Sequence, residues 1–330
     1  MALPDDTFRK ALPYETIPTD LPGVFVSPAP PADLDLDTTD TKTLYKHGLF
    51  WRHPRLLDRP TLREAWKTFS SRKWRAKDRI VPRMEVQYGR THRIKALKRT
   101  ETGYTSNNWS GGVLQGPVGS FTSAIGTWTV PTVSIPPEAQ GWEGGWNSST
   151  WVGIDGFFGT NDVLQAGTEQ KLDSFGNATY VAWYEWFAPS PPADPNQFPY
   201  IYQINIPNFP VSPGDVMYCS VQYVGNNTAG YLYLANNSTG QHFSITLAPP
   251  TGASFNASDA EWIMEAPDGG LPFSSLPAFT EVQFTSAVAC NSTTIQNPLN
   301  GDYVNIVSPN GQQLTEVTLG DDAVTIDFIG

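Results

Sequence analysis

Five short segments of this 330-residue chain carry residue types that could do chemistry. Ser106-Asn107-Asn108-Trp109-Ser110-Gly111-Gly112 comes first, then Trp151-Val152-Gly153-Ile154-Asp155-Gly156 and Val163-Leu164-Gln165-Ala166-Gly167-Thr168. Trp183-Tyr184-Glu185-Trp186 and Ala260-Glu261-Trp262-Ile263-Met264-Glu265-Ala266-Pro267 follow. The chemistry on offer is that of carboxylates and amides. Residues 101–330 hold a single histidine, His242, in a Gly240-Gln241-His242 turn, so neither a serine nor a cysteine nucleophile has a credible base. Zinc motifs such as H-E-x-x-H are absent, and so are paired Asp-Thr/Ser-Gly signatures. Cys219 and Cys290 are too few for a disulfide scaffold or a cysteine zinc site, and whether they pair is left open. With four scattered histidines, neither a metal nor a cofactor is expected.

The elements that position these residues read as strands. From residue 101 short runs rich in Val, Ile, Thr, Tyr and Trp are punctuated by Gly, Pro and Asn, and no stretch holds a helical period over ten residues. Strand alternation puts Glu261, Ile263 and Glu265 on one face and Ala260, Trp262 and Met264 on the other. If the apolar set is core, both carboxylates look onto the open surface of the sheet. Gln165 alternates likewise against Leu164 and Ala166, and Glu185 against Tyr184 and Trp186. A concave sheet face lined by Glu, Gln and Trp is a plausible substrate groove, although a solvated strand face would explain any one of these residues alone.

Charge divides the chain more sharply than hydropathy does. Residues 1–100 hold 20 of the 21 basic residues, and residues 101–330 keep only Lys171. The formal net charge of −11 is therefore a body (101–330) at −19, a segment (41–100) at +14 and a leader (1–40) at −6. The leader has seven prolines and no apolar periodicity, and is expected to be disordered. The segment 41–100 carries one short amphipathic helix: Thr61-Leu62-Arg63-Glu64 has capping-box spacing after Pro60, with Leu62, Trp66 and Phe69 on one stripe. Its end, Lys95-Ala96-Leu97-Lys98-Arg99, offers Lys98-Arg99 as a cleavage point. The acidic body disfavours a nucleic-acid partner, and no apolar run is long enough to cross a membrane as a helix. A monomer whose basic segment docks on its own acidic body fits both halves.

At pH 3 the body would keep only Lys171 and His242 as positive side chains. It has almost no cations to repel one another or to lose carboxylate partners, so it suits acid. Near neutral pH +14 faces −19, and acid weakens that attraction, which predicts a pH-released inhibitory prosegment. Eight N-x-Ser/Thr sequons, at Asn108, Asn147, Asn177, Asn226, Asn236, Asn237, Asn256 and Asn291, favour a secreted glycoprotein. The start, Met1-Ala2-Leu3-Pro4-Asp5-Asp6, has no signal-peptide pattern, so the expectation is an incomplete start, secretion by another route or an acidic compartment.

Seven stretches in order resemble the glutamic peptidases (eqolisins). They are Ser106–Gly112, Trp128-Thr129-Val130-Pro131, Trp151–Gly156, Leu164-Gln165-Ala166-Gly167, Tyr180–Trp186, Ser212-Pro213-Gly214-Asp215 and Ala260–Glu265. The resemblance implies an all-β, lectin-like sandwich of two antiparallel sheets, preceded by a basic, partly helical N-terminal prosegment removed on maturation. It puts the catalytic pair at Gln165 and Glu265, with Trp151, Asp155 and Glu185 as supporting groove residues; strand alternation adds Glu261 to the substrate-binding face. Val181 and Cys290 depart from the family pattern. The implied reaction is acid-acting endoproteolysis of polypeptide substrates. Glu265 would take a proton from the attacking water, and Gln165 would hold the developing oxyanion. A glycoside hydrolase using Glu185 with Glu265 or Glu261, or a carbohydrate-binding module, would use the same face, but neither gives Gln165 a necessary role.

Overall fold

The computed structural model describes residues 12, 16–49, 59–70, 77–137, 145–157, 162–188, 202–224, 229–250, 252–267, 276–291 and 293–330. Period-two alternation folds them into two stacked sheets. The front sheet runs β3 (Glu85–Val86), β12 (Ile204–Ile206), β11 (Ala178–Phe187), β10 (Val163–Leu172), β9 (Trp146–Ile154), β16 (Asp259–Glu265), β6 (Trp109–Gln115), β20 (Asp302–Ile306), β5 (Tyr104–Ser106) and β4 (Lys98–Arg99). The back sheet runs β1 (Ile17–Pro18), β2 (Val24–Val26), β15 (His242–Leu247), β14 (Ala229–Asn236), β13 (Val216–Val224), β7 (Ser123–Thr129), β18 (Val282–Cys290), β22 (Ala323–Phe328) and β21 (Thr315–Gly320), with β19 (Ile295–Gln296) also on β18. A small third pair joins β8 (Val133–Ser134) to β17 (Ala278–Phe279). Strand neighbours are antiparallel apart from β5 beside β20.

The core lies between the sheets. Val152, Ile154, Leu164, Ala166, Tyr184, Trp186, Trp262 and Met264 meet Trp128, Cys219, Leu232, Leu234, Phe243 and Phe284 there. Trp262 ties the layers directly, its indole Nε1 donating across the interface to the carbonyl of Ile125 at 2.7 Å. With the even-numbered residues of β9, β10, β11 and β16 committed to this core, the odd-numbered ones must face outward.

The two cysteines are free and buried. Cys219 sits opposite Gly126 of β7 and Cys290 opposite Ser123, three residues apart along one strand and so on opposite faces of the sheet. Burial pushes both thiols up, Cys290 to about 11. Both are expected to resist a thiol reagent in the native protein. Two thiols should titrate in denaturant without any reductant, whereas a count of none would contradict the fold.

The N-terminal hundred residues differ from expectation in their leader, in holding a second short helix and in the start of the expected one. The leader, expected to be disordered, supplies β1 and β2, and Val24, Phe25 and Val26 are all buried. The physical reason is the bare edge of β15, whose backbone groups need partners; Val24–Val26 pairs with it antiparallel. Two helices follow, α1 (Thr41–Lys46) and α2 (Pro60–Ser70). Asp40 caps α1 by accepting the Thr43 amide at 3.0 Å. The capping box read at Thr61 does not form. Pro60 takes the first helical position instead, a site that suits its fixed φ, and the Thr61 hydroxyl bonds Asp322. Leu62 is buried as read, while the side chains of Trp66 and Phe69 lie outside the described residues.

Candidate active site

The registers of β6, β9, β10, β11 and β16 lay out the site in three rows on the outward face of the front sheet. In the first row Glu185 lies opposite Gln165, Gln165 opposite Gly153, and Gly153 opposite Glu261. In the second, Trp183, Gly167, Trp151 and Ile263 stand side by side. In the third, Glu169, Ser149, Glu265 and Trp109 do so. Gln165 on β10 and Glu265 on β16 therefore look across β9 from rows one and three. Glycine clears the floor between them: a Cβ on Gly167 would stand 2.1 Å from the Thr150 carbonyl oxygen and 2.6 Å from Trp151.

Glu265 is held by donors. Trp151 Nε1 reaches its Oε2 at 2.9 Å, and Asn108 Nδ2 reaches its Oε1 at 3.1 Å. A third donor comes from the basic N-terminal segment: His92 Nδ1 lies 2.8 Å from Oε2. His92 is fully buried, stacked on Trp183 at 3.8 Å between ring centroids. Its other ring nitrogen faces Gln203 Oε1 at 2.7 Å. The Gln203 amide nitrogen is engaged by Glu169 at 2.9 Å and Asn205 at 2.7 Å, so its oxygen is the atom turned to His92. Both ring nitrogens thus meet acceptors, which makes the ring an imidazolium. Burial disfavours that charge, but the carboxylates of Glu265 and then Glu185 outweigh it, and the His92 pKa is raised.

The same residue touches Gln165. Gln165 Nε2 donates to the His92 carbonyl at 3.0 Å and to Glu185 Oε2 at 2.8 Å, and the His92 amide donates to that carboxyl oxygen at 2.9 Å. Two acceptors in front of one side-chain amide leave only its NH2 end able to face them. Burial pushes Glu185 up to about 8, against the lowering effect of His92. Beside His92 the same segment continues to bind the face: Arg90 pairs with buried Glu169, which Lys171 also approaches at 3.3 Å, and the Arg93 guanidinium lies 4.8 Å over Phe187. The backbone of Arg93 and Lys95 brackets Asn108, at 2.7 and 2.8 Å.

The remaining sequence-derived residues divide. Trp151 and Glu185 contact the pair. Glu261 shares the Gln165 row but is fully buried, neither carboxyl oxygen having a hydrogen-bond partner among the described residues, and burial raises its pKa well above the carboxylate range. The open surface expected around Glu261 and Glu265 is in fact covered. Asp155 does not line the face. It follows β9 at a positive φ of 64° and accepts backbone amides of Asn256, Ala257, Ser258 and Asp259, fixing the turn that leads into β16. Asp155→Ala would strand several buried donors at roughly 1–3 kcal/mol each. A fall in melting temperature, rather than altered substrate choice, is the expected result, and unchanged melting would refute this role.

Sequence reasoning missed His92, Gln203 and Glu169. Histidine was sought only after residue 100, although the basic segment held one within a few residues of Arg90 and Arg93. The sequons also sort: Asn108 and Asn236 are buried with their amides engaged, Asn177 is exposed, and Asn226 lies outside the described residues.

Known proteins are similar to this chain in sequence and in fold. The Peptidase A4 family model matches residues 107–328. Aspergillopepsin-2 of Aspergillus niger is 28% identical over 254 residues, 73% of this chain and 84% of that protein. Scytalidopepsin B of Scytalidium lignicola is 29% identical over 235 residues, 68% of this chain and 78% of that one. In fold, the chain is similar to scytalido-glutamic peptidase crystallised with a transition state analog inhibitor, with a TM-score of 0.54 at 24% identity over 68% of this chain and 98% of that chain. The matched stretch begins at the asparagine pair beside Glu265 and takes in every strand that carries the three rows, and on that ground the chain belongs to the peptidase A4 (eqolisin) family of glutamic-type endopeptidases.

Proposed function

We propose that this chain is an acid-acting endopeptidase in which Glu265 and Gln165 form the catalytic pair and residues 85–99 inhibit it from within. The observation that carries the reading is His92, a single residue that engages both members of the pair. Its backbone carbonyl accepts from Gln165 where a scissile carbonyl would, and its imidazolium fills the place on Glu265 that an attacking water would take. A peptide thus lies on the face in the manner of a substrate, with an imidazolium against the carboxylate.

With the imidazolium gone, Glu265 can remove a proton from a bound water as its oxygen attacks the carbonyl carbon. The Gln165 NH2 donates to the oxyanion, and its hydrogen bonding does not titrate in acid. Collapse of the tetrahedral intermediate breaks the carbon–nitrogen bond, and protonated Glu265 delivers its proton to the departing amine. Trp151 and Asn108 keep the carboxylate aimed throughout. Polypeptides are the substrate class, consistent with the peptide based transition state analog bound by a structurally similar relative. An acidic compartment or a secreted existence is the setting such chemistry requires.

The test is incubation at pH 3 with a denatured protein and a polysaccharide, with and without pepstatin. Pepstatin-resistant proteolysis is expected. Sugar release would favour the glycosidase reading, and absence of both would favour a binding module.

A further inference from the structure

We infer that the N-terminal region has two parts with different fates, and that residues 16–80 stay bound to the body as a permanent noncovalent chain after the inhibitory stretch has left. The two parts differ in how much of their attachment depends on charge. Residues 85–99 pair β3 with β12 and β4 with β5 and pack Ile94 and Leu97 on the front sheet, but their buried centre is held by ion pairs, His92 on Glu265 and Arg90 on Glu169. The described part of residues 16–80 binds the back sheet chiefly through apolar burial and neutral backbone pairing. Val24–Val26 completes the β15 edge, with Val24 and Val26 in the main core. Further along the same edge, the Ile80 amide donates to the His242 carbonyl at 3.0 Å and the His242 amide donates to the Asp78 carbonyl at 2.8 Å.

Leu36, Leu44, Leu49 and Leu62 then cover the outer face of the back sheet, packed on Ile125, Tyr218, Tyr233 and Val288. The approach is close enough that a Cβ on Gly48, at φ +68°, would fall 1.8 Å from Ser244 Oγ. Arg79 fixes the corner by donating to the Ser27 carbonyl at 2.8 Å and to Ser244 Oγ at 2.6 Å, both neutral acceptors. The titratable and charged groups facing this cover are few. His47 bonds the Pro28 carbonyl, Arg59 pairs with Asp321 and Asp322, and His242 lies under Tyr233. Acid that removes charge from the front-sheet contacts leaves the apolar attachment intact. Losing the cover would instead expose an aromatic and aliphatic sheet face together with a bare strand edge.

The inference rests on the proposed function only for the identity of the part that leaves, so the experiment uses no activity. A recognition site for a sequence-specific protease is placed after Val81, which is 59% exposed, in the full chain carrying Glu265→Gln. After cleavage the sample is run on native size exclusion at pH 7 and at pH 3, and each peak is identified by denaturing mass spectrometry. One peak with both pieces in equal amounts at both pH values is expected. Val24→Asp combined with Leu44→Asp should release the N-terminal piece from the cut protein. Separate elution of the unaltered piece at pH 3, with the body alone or paired with a second copy, would overturn the inference. That result would leave the peptidase reading untouched.

Discussion

Glu265→Gln is expected to lower peptide cleavage by roughly 10³- to 10⁴-fold, the scale of a lost general base and acid, in a protein that stays folded. The substitution keeps the shape of a side chain already surrounded by Trp151, Asn108 and His92, but its amide cannot take and return a proton. The new amide can still accept from Trp151. Its NH2 must then face the Asn108 donor, a mismatch that costs on the order of 1–3 kcal/mol. Turnover of a denatured protein at acid pH, read beside a thermal melt, separates the two effects. Gln165→Ala removes one oxyanion donor and should cost about 10²- to 10³-fold. Full activity in Glu265→Gln would end the assignment of the pair.

His92→Ala in the full chain should have the opposite effect and switch activity on. Removing the imidazolium leaves Glu265 buried under the prosegment without its charged partner, an imbalance worth about 3–5 kcal/mol against docking. At pH 5, initial cleavage rates should rise by roughly 100-fold over the parent, the lower end of that range at 1.36 kcal/mol per tenfold. Rates are read before a denaturing gel shows any shortening of the chain. A variant as silent as its parent would show that His92 does not restrain the enzyme.

The pH dependence follows from the direction of each shift. The His92 pKa is raised in the docked state, so the stabilisation from that pair is complete below the ordinary histidine pKa and is lost as pH rises through the raised value. Glu185 is pushed up to about 8 by burial, against the lowering effect of His92. Among the described contacts of residues 85–99 with the body, the pairing of Glu265 with His92 and of Glu169 with Arg90 is what needs ionised carboxylates. Inhibition should therefore pass through a maximum with pH instead of strengthening steadily, and His92→Ala should remove the His92 share of the decline on the alkaline side. The steady rise follows from formal charge, which overstates the body's negative charge: burial raises Asp162 to about 6 and Glu185 to about 8, and Glu261 well above the carboxylate range.

Local pattern was enough to place Gln165, Glu185, Glu261 and Glu265 on one face, because a pleated strand alternates strictly and the neighbours Leu164, Trp186 and Trp262 could only be core. The charge partition likewise needed nothing beyond counting. Asp155 was misplaced because a carboxylate in a Gly-flanked turn reads the same in sequence whether it faces substrate or a run of backbone amides. Val24-Phe25-Val26 was misread as part of a disordered leader because three apolar residues have no period to detect. They become a strand only when β15, more than two hundred residues later, offers an edge. By itself, then, the sequence determined the strand faces, the residue chemistry and the separation of a basic segment from an acidic body, since these depend on near neighbours and composition. Only the tertiary structure decided that His92 reaches Glu265, Gln165 and Gln203 together and that the leader closes the back sheet. Those contacts join residues 73 to more than 200 positions apart, and chain folding alone sets such distances.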